Sequence, residues 1–398
     1  MSGKGLSTEL IHAGDGEFYR KIGAAASVPE TFPVYLTSVF AFEDMRSLDA
    51  IYEREAEGYI YSRMANPNSD AVSEILAAAD GGDGALVFSS GMAAITMTIL
   101  SLVKTGDHVI ASPVLYGGVR DFLSNELARF GVEVDFVDLI HDDVRAFVRP
   151  TTRLVYTETI CNPLMEVPDM ERVAAASHEL GLLFLIDNTF ATPALVRPIS
   201  LGADAVLYSA TKYLGGHSDI TAGAVVGSAM VINAAKRLQT LYGATLGPSD
   251  CWLLARSLRT LDLRMEKHSK NAMVVAKFLE SHEKIEKVHY PGLESSSSRE
   301  RASRIFRNGM YGGMISVDLK GGAREASALI EALEMIAFVP SLAGTATTVS
   351  YAAKTSHRAY SGEERERAGI TDGQLRFSIG LEEADDIMSD IARALEKI

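Results

Sequence analysis

Only two of the 398 residues are cysteine, Cys161 and Cys251. Their separation matches neither a metal knuckle nor a redox pair, which argues against a disulfide-stapled fold and fits a reducing compartment. Basic charge is also short: 38 Lys and Arg stand against 52 Asp and Glu, a formal net charge of −14. Such a surface repels phosphate backbones, so nucleic acid is not an expected partner. No uninterrupted apolar run reaches the roughly 18 residues a membrane span needs. The start, MSGKGLSTEL, has no apolar stretch behind a basic leader, so no signal peptide is expected. The nine histidines show no metal-ligand spacing. Neither G-x-G-x-x-G nor G-x-x-x-x-G-K-[ST] follows an apolar strand, which removes the familiar nucleotide cradles. What remains is a cytoplasmic protein with a small-molecule ligand.

Hydrophobic residues make up 47% of the chain, enough for a large core, and the length suits two domains. The middle alternates between two periods. Residues 71–79 set Ala71, Val72, Ile75, Leu76 and Ala79 on one helical face. ALVFSS (85–90) reads as a short strand and GMAAITMTILSLV (91–103) as the helix after it. HVIAS (108–112), VEVDFVD (132–138), RLVYTET (153–159), LLFLIDN (182–188) and AVLYSAT (205–211) are further strands. VRDFLSNELARF (119–130) and MERVAAASHEL (170–180) are helices between them. Strands buried on both faces and separated by helices predict an α/β domain with a mostly parallel sheet.

Beyond residue 248 the pattern changes. Residues 248–282 predict one long helix or a kinked pair. MISVDLK (314–320), a helix through 326–336, LRFSIGL (375–381) and a closing helix from Asp386 predict a smaller α+β domain. ESSSSRER (294–301) reads as a solvated loop. The first sixty residues lack periodicity, and FPVYLTSVFAF (32–42) reads as an arm that packs on something, such as another subunit.

In open α/β sheets, ligands sit beyond the carboxyl ends of the strands. LYSATKYLGGHSD (207–219) leaves its strand through Ser209 and Thr211 and sets Lys212 before a Gly-Gly turn. A solvated lysine is the plain reading; an amine held in a dry crevice is the chemical one. LLFLIDN ends in Asp187, a carboxylate that needs a cation or donors once buried. ALVFSS runs through Ser90 into Gly91 and Met92 at a helix start, where exposed N–H groups favour an anion. One amine, one carboxylate, two hydroxyls and a helix N-terminus suit a ligand with an aldehyde, a ring nitrogen and a phosphate. Pyridoxal phosphate has all three, with Lys212 for the aldehyde, Asp187 for the nitrogen and Gly91, Met92, Ser209 and Thr211 for the phosphate.

The same stretch, together with FLIDNTFATP (184–193), SSGMAAI (89–95), YIYSRMANP (59–67) and ETICNPLMEVPD (158–169), resembles the cysteine/methionine-metabolism family of pyridoxal-phosphate enzymes. The resemblance runs from IHAG (11–14) to RFSIGLEEADDI (376–387). It implies a fold type I, aminotransferase-like architecture, with a neighbour-contacting arm over 1–60, a pyridoxal-phosphate domain over 61–257 and a C-terminal domain over 258–398. It also implies roles. Lys212 resembles the lysine that holds the cofactor covalently, Asp187 the ring-nitrogen partner, and Tyr116 the ring-stacking tyrosine that assists proton transfer. Asn162 matches the asparagine near the cofactor's phenolic oxygen. Tyr61 and Arg63 match residues that reach the phosphate of a neighbouring subunit's cofactor, in a homotetramer of two dimers. Arg376 matches the clamp on the substrate carboxylate, with Ser341 beside it. The implied activity is a carbon–sulfur lyase of sulfur amino acids, with γ-replacement on a homoserine ester or cystathionine β-cleavage as alternatives.

Substrate-selecting positions depart from the family pattern. Gly118 stands where methionine γ-lyases usually carry cysteine, and Gln239-Thr240 where they carry a Lys-Asp pair. GTATT around Ala346 replaces a stretch that commonly holds an acidic residue. Gly215 stands where asparagine is frequent, Asn68 where threonine is, and Ala352 where proline is common. The missing acid near Ala346 implies a smaller or less polar substrate side chain.

Overall fold

The computed structural model describes residues 5–15, 27–355 and 369–398, with Arg358, Gly362 and Arg365 between. Seven strands form the larger sheet: β1 Gly84–Phe88, β2 His108–Ala111, β3 Glu133–Phe136, β4 Thr152–Glu158, β5 Leu183–Asp187, β6 Ala205–Tyr208 and β7 Gly223–Gly227. Their order is β1-β7-β6-β5-β4-β2-β3. Every pairing from β6 through β3 is parallel, and β7 alone runs against its neighbours β6 and β1. The mostly parallel sheet expected from the sequence is therefore present, with one reversed strand. GAVVG gave no such signal, because its apolar core is three residues long and glycine closes both ends.

Both faces of this sheet are dry. Leu86, Val109, Leu154, Leu185, Leu207 and Val225 pack into one cluster. The residues next to them, Val87, Ile110, Val155, Ile186, Val206 and Val226, pack into the other. Successive side chains of a strand point to opposite faces, so helices must cover each side. The helix Gly91–Leu102 lies on the first face. The helix Pro67–Asp80 lies on the second through Ala71, Val72, Ile75, Leu76 and Ala79, the stripe its spacing predicts. It begins four residues before that stripe, because Asn66 caps it and Pro67 opens it.

The smaller sheet runs β10-β11-β12-β9-β8, from β8 Ile285–His289, β9 Met314–Leu319, β10 Ala337–Phe338, β11 Thr348–Tyr351 and β12 Gln374–Ser378. It is antiparallel apart from the β10–β11 pair. The stretch 248–282 is a pair of helices, Pro248–Leu258 and Leu261–Glu280, parted at Arg259–Thr260. Residues 294–301 are less solvated than expected. Ser298 is buried, its hydroxyl accepts from Val167 N at 2.9 Å, and a helix starts at Arg299. The 119–130 helix is interrupted by a π-turn at Phe122–Glu126. Among the described residues of the aperiodic first sixty, two helices form, Leu6–His12 and Met45–Tyr52. Among the described residues no helix is long and apolar enough to cross a membrane.

Candidate active site

The alternation that buries the first face also aims the site. Two residues beyond Phe88 is Ser90, beyond Tyr156 is Glu158, beyond Leu185 is Asp187 and beyond Leu207 is Ser209. These polar ends line one cavity of about 450 Å³. Gly91, Met92, Tyr116, Asn162, Thr211, Lys212, Ser341 and Arg376 line it too. Ten of the sequence-nominated residues therefore meet in one place. Tyr61 and Arg63 lie outside it: Arg63 stacks on the Tyr61 ring at 5.3 Å and donates to Thr240 O at 2.6 Å.

The anion end is built by close backbone approach. Ser90 caps Gly91–Leu102 by accepting from Ala93 N at 3.1 Å. A Cβ at residue 91 would lie 2.7 Å from Ser209 Cβ and 2.8 Å from Ser209 Cα, so only glycine lets the Ser209 turn reach the helix start. Strand β6 stops at Tyr208, so Ser209, Thr211 and Lys212 stand on a turn rather than in the strand. That turn is held by Thr211, whose hydroxyl accepts from Ala222 N at 2.9 Å, and by Ser209 N, which donates to Thr189 Oγ1 at 2.8 Å.

Lys212 Nζ donates to Ser341 Oγ at 2.8 Å, across the gap between the two sheets. Burial first, and the Arg376 charge second, lower its pKa below that of an ordinary lysine. Asp187 accepts from Thr189 N at 2.8 Å and has no ion pair among the described residues. Burial raises it to about 6. Its Cα register partner on β4 is Glu158, which burial and then the Asp187 charge raise to about 8. Arg376, on β12, is 4% exposed, has no carboxylate within ion-pair reach among the described residues, and leaves Nε buried without a partner. Its Nη1 donates to Asn162 Oδ1 at 2.7 Å. Burial lowers it to about 10.

A half-buried carboxylate without a cation and a buried guanidinium without an anion both ask for ligand groups of opposite sign. With the glycine-lined helix start and a half-buried amine, this donor set fits pyridoxal phosphate and an amino-acid carboxylate. Sequence reasoning passed over Glu158, although it opens the ETICNP stretch two residues after core Tyr156. It also missed the apolar wall of Ile95, Ile160, Phe190 and Leu342, which carries no local motif. Of the atypical positions, Gln239 points into the fold and donates to Val87 O at 2.6 Å. Asn68 is likewise structural, donating to Pro33 O at 2.8 Å. A Cβ at residue 215 would sit 2.9 Å from Ala210 O, so this loop leaves little room for asparagine. His217 Nδ1 lies 2.7 Å from Gly215 O, and among the described residues no group of three or more His, Cys, Asp or Glu is placed to hold a metal.

Comparison with known proteins agrees with this geometry. The family model described as Cys/Met metabolism PLP-dependent enzyme matches residues 7–396. The chain is 40% identical to the L-methionine gamma-lyase of Fusobacterium nucleatum subsp. polymorphum, covering 99% of this chain and 98% of that one. It is 40% identical to the cystathionine beta-lyase of Lactococcus lactis subsp. cremoris, covering 98% and 99%. Among solved structures, cystathionine gamma synthase from Xanthomonas oryzae pv. oryzae superposes with a TM-score of 0.91 at 32% identity, over 100% of this chain and 99% of that one. On the strength of a full-length match and a cavity whose donors fit the cofactor, this chain belongs to the Cys/Met metabolism PLP-dependent enzymes.

Proposed function

We propose that the chain is a carbon–sulfur lyase that cleaves a sulfur amino acid of methionine, homocysteine or cystathionine type, taking up one water and releasing a thiol, ammonia and a 2-oxo acid. The observation that carries this reading is the opposition, in one cavity, of the amine Lys212 and the anion-free guanidinium Arg376. Arg376 holds the substrate carboxylate and so fixes Cα toward Lys212. Lys212 Nζ, whose pKa burial and the Arg376 charge lower, is the base placed to take the α-proton and then a β-proton, whose loss leaves the electron pair that expels the γ-sulfur. Asp187 would accept the ring N–H of the cofactor and keep that nitrogen protonated. Bound pyridoxal phosphate would supply the electron sink that makes the α-proton acidic. Tyr116 would stack on the ring and donate its phenolic proton to the departing sulfur. Gly91, Met92, Ser209 and Thr211 would take the phosphate.

The apolar wall formed by Ile95, Ile160, Phe190 and Leu342 supports a thioether side chain over a charged one. The likeness to a cystathionine gamma synthase supports a second reading, γ-replacement, in which an added thiol captures the substrate's carbon skeleton. Product analysis by mass spectrometry separates them, with methionine, homocysteine, cystathionine, cysteine and O-acetylhomoserine offered with and without thiol. A keto acid released without thiol supports the lyase, and its carbon number reports β- or γ-cleavage. A thioether formed only with thiol establishes the synthase.

The reading extends to assembly and place. Arg63 and Tyr61 would serve a neighbour's phosphate in a homotetramer whose 1–60 arms contact partners. Leu36 at 73% and Val39 at 58% exposure give that arm an apolar surface to bury. The free and buried thiols of Cys161 and Cys251 fit the cytoplasm. Analytical ultracentrifugation with an Arg63→Ala variant tests the sharing: the variant should still assemble yet lose cofactor.

A further inference from the structure

We infer that Glu158 is a positioning residue that ties the ring-stacking tyrosine to the carboxylate clamp; this rests on the reading of the cavity as a pyridoxal-phosphate site. Glu158 ends β4 and is buried. Its Oε1 accepts from Tyr116 N at 2.7 Å and its Oε2 from Asn162 N at 3.1 Å. Asn162 Oδ1 then accepts from Arg376 Nη1 at 2.7 Å. One carboxyl group thus joins the Tyr116 turn, the loop after β4 and, through Asn162, the β12 arginine of the other sheet.

The chemistry of this junction selects a carboxyl group. Two N–H donors approach different oxygens, and only a carboxyl group presents acceptors on both. Glutamine would keep one acceptor and turn an NH₂ toward the second donor. An apolar residue would leave both donors buried and unpaired. Support for Tyr116 is otherwise slight, because its side chain is half exposed and it caps a helix of five residues, Gly117–Asp121. Burial and then the Asp187 charge raise Glu158, while the Tyr116 and Asn162 amides it accepts favour its charged form.

The test uses the purified holoenzyme with Glu158→Ala and Glu158→Gln. Three readouts are KM and kcat for the preferred sulfur amino acid, the visible circular dichroism of the bound cofactor, and cofactor content. Glu158→Ala should raise KM about tenfold or more, the scale of losing one charge-assisted contact, lower kcat, and weaken the dichroic band. Glu158→Gln can keep only one of the two bonds, so it should divide these effects, leaving either the band or KM near wild type while the other changes. Wild-type KM and dichroism in Glu158→Ala would overturn the inference. So would equal losses in both variants accompanied by loss of cofactor, because that describes a loosened fold rather than two separable contacts. A wild-type protein with no visible band when supplied with pyridoxal phosphate would instead refute the underlying reading of the site.

Discussion

Arg376 offers the sharpest quantitative test, because its hydrogen bonds divide cleanly. Nη1 is committed to Asn162, Nε is buried without a partner, and Nη2 has no hydrogen bond among the described residues. The free Nε/Nη2 edge is the side of a guanidinium that receives a carboxylate with two parallel bonds. Each charge-assisted bond contributes about 1.5–3 kcal/mol, so the pair contributes about 3–6 kcal/mol, or about 10²–10⁴ in kcat/KM at 1.4 kcal/mol per tenfold. The assay compares the amino-acid substrate with its primary carboxamide, which presents no anion. Wild type should prefer the acid by about 10²–10⁴ in kcat/KM, and Arg376→Ala should bring that ratio close to one. Arg376→Lys should recover about tenfold of the preference, because an ammonium restores the charge without the fork. Cofactor content, measured in parallel, should not change. An acid-to-amide ratio in Arg376→Ala equal to wild type would show that the carboxylate binds elsewhere and would undo the orientation given to Cα.

Three further outcomes follow from the same packing. Asp80 is buried, accepts from Tyr208 Oη at 2.7 Å and is raised by burial to about 7. The folded state therefore keeps a proton that the unfolded state has lost between about pH 4 and 7, and stability falls as pH rises through that window. Asp80→Asn should flatten this slope and raise the thermal midpoint at pH 8, and a calorimetric midpoint that falls there would contradict the burial argument. Gly91→Ala forces a Cβ against the Ser209 backbone, an overpacking cost of about 1–3 kcal/mol, and should weaken cofactor retention measured by dialysis. Gly118→Cys would set its Cβ 2.8 Å from Tyr116 Cε1 and 3.4 Å from Met92 Sδ. Because the Tyr116 ring is half exposed and able to move, kcat should change while the thermal midpoint stays near wild type.

The large sheet was legible because its signal is redundant. Leu154, Val155 and Tyr156 are apolar in succession, which only a strand covered on both sides tolerates. Lys212 was legible as a cavity residue for a related reason, since polar residues at the end of such a strand have few structural uses. Features that depend on long-range packing left less trace. Ser298 sits in a run of four serines that reads as solvent-facing, and only the approach of Val167 N buries it. Leu6–His12 buries Leu6 and Leu10 against the main core, but seven residues are too few to show a period. Glu158 was overlooked because the partners of its carboxyl group are backbone amides, which carry no side-chain signature.

Charge explains why so acidic a chain can gather anionic ligands. The formal charge is −14, yet the cavity holds Lys212 and Arg376 against Asp187 and Glu158. Four ionised groups would balance. Burial shifts them unequally: it raises both carboxyl groups and lowers Lys212, while Arg376, lowered only to about 10, stays charged. Arg376 therefore keeps a positive charge inside the cavity near neutral pH, and the low-dielectric walls concentrate its field on an arriving carboxylate or phosphate. On the proposed reading, a protonated ring nitrogen would face Asp187 and a substrate carboxylate would face Arg376, so that each charge would gain an opposite. On this account the strands supply more than a scaffold. By ending a dry alternation on ionisable groups, they leave a hole whose unmet charges describe the ligand.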